Sequence, residues 1–70
     1  MLSRELKSLR IINDFTQKSL SAKLGMSESS YNKRENGILD FSVKEIKKLK
    51  IYLKLSDEDI IRIFFTDEVA

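Results

Sequence analysis

The sequence predicts an all-α fold, a compact bundle of about five short helices, and three observations lead there. Lys, Leu, Ile, Glu and Ser are plentiful while Val, Thr and Trp are scarce, a balance that favours helix over strand. There is no proline and there are two glycines, so regular structure has few breaks. Hydroxyl residues recur just ahead of segments whose apolar residues fall at helical spacing. Seventy residues correspond to one small domain, residues 1–70. A chain of this size buries only about 60% of its unfolded surface, so each core residue matters.

The first helix runs from about Leu2 to Ile12, with Leu2, Leu6, Leu9 and Ile12 recurring on one face and Glu5 in the favourable first turn. Asn13-Asp14 ends it, because Asn tolerates the left-handed conformation at a helix stop. Thr16 is the N-cap of a second helix carrying Leu20 and Leu24 one turn apart, and Gly25 closes it. Ser27, preceded by Met26 as a hydrophobic staple, caps a third helix from about Glu28 to Glu35 that stops at Asn36-Gly37. Ser42-Val43-Lys44-Glu45 reads as a capping box. The fourth helix that it opens places Val43, Ile46, Leu49 and Leu53 on one face and Lys44, Lys47, Lys48 and Lys54 on others. Ser56 caps a fifth, beginning near Asp57, with Asp57, Glu58 and Asp59 at the positive end of the helix dipole. Two helices joined by a short Gly-containing turn over about residues 16–36 form a helix-turn-helix arrangement.

The sequence holds no cysteine and no histidine, which excludes disulfides, zinc fingers, haem ligation and Cys- or His-based catalysis. No pair of carboxylates stands out as an acid–base couple, so neither an enzyme nor a cofactor or metal site is expected. No apolar run exceeds three residues, as in Ile63-Phe64-Phe65, too short for a membrane span or a signal-peptide core, so a cytoplasmic protein is expected. Residues 1–54 carry twelve Lys and Arg against six acids, a balance of +6, and residues 55–70 carry one Arg against five acids, a balance of −4. A basic body with an acidic end reads as a polyanion-binding face and a segment kept away from it, or as ordinary solvated helix faces.

The last helix is more apolar than one core contact requires. Ile60, Ile61, Ile63, Phe64 and Phe65 spread over an arc of about 200° at about 100° per residue. Ile60 and Phe64 are candidates for the inward side. Ile61 and Phe65 are on the other side, and Ile61, Phe64 and Phe65 are the candidate partner interface.

The stretch from Thr16-Gln17 through Leu24-Gly25-Met26-Ser27, the stop Glu35-Asn36-Gly37 and the fourth-helix pattern from Ser42 to Leu55 together resemble the phage repressor and Cro-type helix-turn-helix family, over roughly residues 4–61. The run Ser30-Tyr31-Asn32-Lys33-Arg34-Glu35-Asn36-Gly37 looks like that of short phage and prophage regulators. The resemblance implies a lambda-repressor-like fold whose third helix enters the major groove of double-stranded DNA. Carried over by position, Glu28, Ser29, Asn32 and Lys33 face base edges, with Lys33 suited to guanine and Asn32 to adenine. Glu28 is suited to cytosine N4 or, equally, to the helix dipole alone. Gln17, Lys18, Lys23, Ser27, Asn36 and Lys44 are the candidate backbone contacts, with Lys47 or Lys48 as further help from the fourth helix. Arg10 and Glu35 occupy positions that form a buried ion pair in many relatives.

The sequence departs from the family pattern at three points. Arg34 stands where an apolar residue is usual, with Tyr31 expected to fill the volume and Arg34 to snorkel outward. Ser21 replaces an alanine, and the loop Ile38-Leu39-Asp40-Phe41 lacks a basic residue. The resemblance implies a Cro-like repressor acting as a homodimer on an inverted-repeat operator. The alternative is a protein-binding module of the same fold, an antirepressor that captures another phage regulator or an antitoxin that captures a toxin. Glu28, the uncharged loop and the apolar end of the chain would suit that second role.

Overall fold

The computed structural model describes the backbone of residues 2–65 and the side chains of residues 4–65. Five helices follow one another: α1 (Leu2–Ile12), α2 (Gln17–Leu24), α3 (Glu28–Glu35), α4 (Val43–Tyr52) and α5 (Asp57–Phe64). Among the described residues there is no strand. The all-α reading therefore stands, and α2 to α5 each start where their capping residue places them.

Four helix starts are built alike. The hydroxyls of Thr16, Ser27, Ser42 and Ser56 accept from the backbone N–H three residues on. Ser19, Glu45 and Asp59 return a side-chain acceptor to the cap's own N–H, completing a capping box at α2, α4 and α5. Each such cap contributes about 1 kcal/mol. Helix ends are less regular. At the end of α1, Asn13 Nδ2 donates to Leu9 O at 2.8 Å and to Leu53 O at 3.2 Å, tying the ends of α1 and α4 together. Asp14, not Asn13, takes the left-handed conformation, at φ 65°. Lys54 does the same after α4, at φ 56°, and so lies beyond that helix.

The core is formed by Leu6, Leu20, Leu24, Tyr31, Leu49, Leu53, Leu55 and Ile63. Burying a Leu or Ile side chain contributes roughly 1.5–3 kcal/mol. An aromatic row crosses it: Tyr31 meets Phe41 at 5.9 Å, and Phe41 meets Phe64 edge-to-face at 5.9 Å. Arg62 on α5 donates Nε to Glu5 on α1 at 2.8 Å, a surface tie between the helices that also pack together.

Two apolar expectations fail for geometric reasons. Ile12 is 72% exposed and Val43 is 68% exposed, although both were counted on buried faces. Steps of three residues drift about 60° each, so a residue six positions from Leu6 or Leu49 has turned roughly 120° away. Phe64, named both for the inward side and for a partner interface, is half-buried and packs on Phe41, which agrees with the inward reading. Ile63, given no inward role from the sequence, is 1% exposed and is the residue of α5 most deeply in the core. The side chain of Leu2 and the acidic pair Asp67 and Glu68 lie outside the described residues.

Candidate nucleic-acid interface

The turn between α2 and α3 is set by Gly25, which adopts φ 76° and donates its N–H to Ala22 O at 3.1 Å. Met26 N–H then reaches Ser21 O at 3.0 Å, and Ser27 caps α3. Ser21, buried beside this turn, satisfies its hydroxyl by donating to Lys18 O at 2.7 Å. The α3 helix packs against both α1 and α2 on its buried side.

That side is sharply defined. Tyr31 is 0% exposed and Glu35 is 2% exposed. Glu28, Ser29, Asn32, Lys33 and the cap residue Asn36 are exposed. An eight-residue helix therefore shows a polar row to the outside with two buried anchors behind it. Lys18 and Lys23 on α2, Ser27 at the head of α3 and Lys44 in the first turn of α4 are exposed as well. Lys47 is exposed but lines the groove between α4 and α5. Lys48 is half-buried.

Behind the row lies a closed hydrogen-bond network. Arg10 Nε donates to Glu35 Oε2 at 2.8 Å and Arg10 Nη2 to Glu35 Oε1 at 3.4 Å. Tyr31 hydroxyl donates to Oε2 at 2.8 Å, and Gln17 Nε2 donates to Oε1 at 2.8 Å. All four acceptor positions of the carboxylate are thus used. Arg10 spends a further N–H on Phe15 O at 2.9 Å. Burial alone would raise the Glu35 pKa, but the bonds from Arg10, Gln17 and Tyr31 outweigh it and hold the carboxyl below its ordinary value. The Tyr31 phenol is pushed up, by burial first and then by its bond to the Glu35 carboxylate.

Gln17 was singled out as a backbone contact, yet its amide is already engaged. Besides donating to Glu35, its Oε1 accepts from Asn32 Nδ2 at 3.2 Å. These bonds join side chains 18 and 15 residues apart. Spacing within a helix gives no sign of such a link, so the sequence reading missed it.

Arg34 also departs from expectation. Tyr31 fills the interior, but Arg34 does not extend into solvent. Its Nη1 donates to Ser30 O at 3.1 Å and to Ser30 Oγ at 2.5 Å. Its Nε is buried without a well-formed hydrogen bond and lies 3.4 Å from Glu45 Oε1. Glu45 already closes the α4 capping box, so the same carboxylate ties the end of α3 to the start of α4. In the loop between them Ile38 is 70% exposed.

A second surface lies between α4 and α5. Val43, Ile46, Ile60 and Phe65 wall a groove of about 200 Å³, with Lys47 and Lys50 at its rim. Lys50 pairs with Asp57 there at 2.5 Å. Ile61 and Phe65 are exposed. Among the described residues no group of His, Cys, Asp and Glu is arranged to hold a metal ion. No helix of the described chain is long and apolar enough to cross a membrane.

Comparison with known families agrees with this geometry: a helix-turn-helix family model matches residues 6–60. No curated protein and no solved structure is significantly similar to the chain.

Proposed function

Because this chain belongs to the Cro/C1-type helix-turn-helix family, we propose that it is a sequence-specific DNA-binding transcription regulator of the Cro kind, acting as a homodimer on an inverted-repeat operator. The observation that carries this reading is the polar row on α3, exposed at Glu28, Ser29, Asn32 and Lys33 and anchored from behind by Tyr31 and Glu35. A helix held in this way can lie in the major groove without leaving the core. Lys33 donates to guanine, Asn32 reads adenine, Ser29 serves either base, and Glu28 stabilises the first turn of its helix and accepts from cytosine where one is present.

Gln17 has a second amide hydrogen for a phosphate, and Ser27 keeps its hydroxyl hydrogen after accepting from Ser30 N–H. Lys18, Lys23, Asn36 and Lys44 complete the backbone set and fix orientation on the duplex. The test is selection of bound duplexes from a random pool at low salt. An enriched inverted repeat, bound with an affinity that falls steeply as salt rises, is the expected result. Absence of any enriched sequence would end this reading.

The dimer forms through the exposed Ile61 and Phe65, the latter also walling the α4–α5 groove. Two recognition helices related by a two-fold axis read half-sites about 34 Å apart on one face of DNA. Phe65→Asp places a charge on that surface, where the wild-type ring is 63% exposed and so is not needed inside the fold. The variant is expected to sediment as a folded monomer of 8.2 kDa and to bind operator more weakly. A folded variant that sediments as a dimer would remove this surface from the account.

A further inference from the structure

We infer that Gln17 sets the base preference of Asn32 without touching a base, by relaying the polarity of the buried Glu35 carboxylate to the outer face of α3. The inference rests on the DNA-binding reading of that face. Its physical content is an ordered chain of donors and acceptors.

The Glu35 carboxylate only accepts, and its lone pairs are filled by Arg10, Tyr31 and Gln17. Gln17 must therefore turn its NH₂ inward, to Oε1 at 2.8 Å. That leaves its carbonyl oxygen facing α3. Asn32 meets this oxygen with its own NH₂, at 3.2 Å. The opposite orientation would set the Asn32 oxygen against the Gln17 oxygen, two acceptors with no proton between them.

The outcome is a fixed presentation. Asn32 keeps its Oδ1 and its second Nδ2 hydrogen for a partner outside the protein. An acceptor beside a donor is the complement of the adenine edge, which offers the N6 hydrogen and the N7 lone pair. Because Asn32 is held before DNA arrives, less side-chain freedom is lost on binding. Gln17 is thus a positioning residue for specificity.

The decisive variant is Gln17→Lys. Lysine keeps a donor for Glu35 and an attraction for phosphate, but it has no acceptor for Asn32. Duplex selection is run on wild type, Gln17→Lys and Asn32→Ala. Wild type is expected to show adenine at one position of each half-site. Gln17→Lys is expected to lose that preference about tenfold at that position alone, matching Asn32→Ala there, with the other positions unchanged. A Gln17→Lys motif identical to wild type would overturn the relay while leaving the DNA reading intact. No motif from wild type would overturn the DNA reading, and with it the role given to Gln17.

The free protein supplies an independent arm. NMR couplings and side-chain amide signals of Asn32 are expected to report one χ1 rotamer in wild type and averaging in Gln17→Lys. Averaging already present in wild type would overturn the relay whatever the DNA experiment shows.

Discussion

Replacing Glu35 with alanine is expected to lower the melting temperature by on the order of 15–30 °C, although the residue lies in the segment that most resembles a DNA-reading motif. Glu35 is 2% exposed and Arg10 is 6% exposed. Truncation leaves the Arg10 guanidinium buried with Phe15 O as its remaining partner, and it strips Tyr31 hydroxyl and Gln17 Nε2 of their acceptor. Removing one member of a buried pair costs about 3–5 kcal/mol, because the other charge stays uncompensated. A chain of this length has a total stability of roughly 4–10 kcal/mol, so the variant stands near the edge of folding at 25 °C. Thermal melts followed by circular dichroism provide the measurement. A shift of a few degrees or less would mean that the network contributes little.

The same residue fixes one part of the acid response. Its folded-state pKa is depressed below the ordinary 4.5, so the unfolded chain takes up the proton first as pH falls. The stability contributed by Glu35 is fully present above about pH 4.5 and is lost as pH falls through the folded value. Melting temperatures of the wild type and Glu35→Ala should therefore converge in acid. A constant difference down to acid pH would contradict the assignment.

Lys33→Ala is expected to weaken binding to the selected operator by about ten- to a hundredfold while leaving the fold intact. The side chain is exposed and makes no hydrogen bond or ion pair among the described residues, so truncation removes nothing from the core. A donor to guanine N7 and O6 carries about 1–3 kcal/mol of discrimination. Its loss should relax the motif at one position of each half-site. Truncating the exposed Lys18 should instead weaken all sequences evenly and reduce the salt slope by about one. An even weakening by Lys33→Ala, with the motif unchanged, would reassign Lys33 to the backbone set.

Much of this fold was legible in the sequence because helix boundaries are local. Thr16, Ser27, Ser42 and Ser56 declare their helices from within four residues, and Gly25 and Gly37 mark their turns by φ values that other residues seldom adopt. Which face is buried was harder to read at helix ends, as Ile12 and Val43 show, since three-residue steps accumulate error. The exposed row of α3 followed from the helix period. The Gln17 relay and the turn of Arg34 toward Glu45 did not, because each joins side chains on different helices whose meeting depends on the finished packing.

The repeated hydroxyl cap also bears on how quickly the chain finds its structure. Each of α2 to α5 can select its first residue before any distant contact exists, so the search that remains is the docking of short segments whose ends are already chosen. Helical domains dominated by near-neighbour contacts fold in microseconds to milliseconds. The slowest contribution should come from pairing Arg10 with Glu35, 25 positions apart, because that bond waits for three helices to assemble. Stopped-flow refolding is expected to finish within about ten milliseconds, with Glu35→Ala speeding unfolding more than it slows folding. A refolding phase of seconds would mean that some other step controls assembly. A regulator with such kinetics regains its working form almost at once after each passage through the open chain.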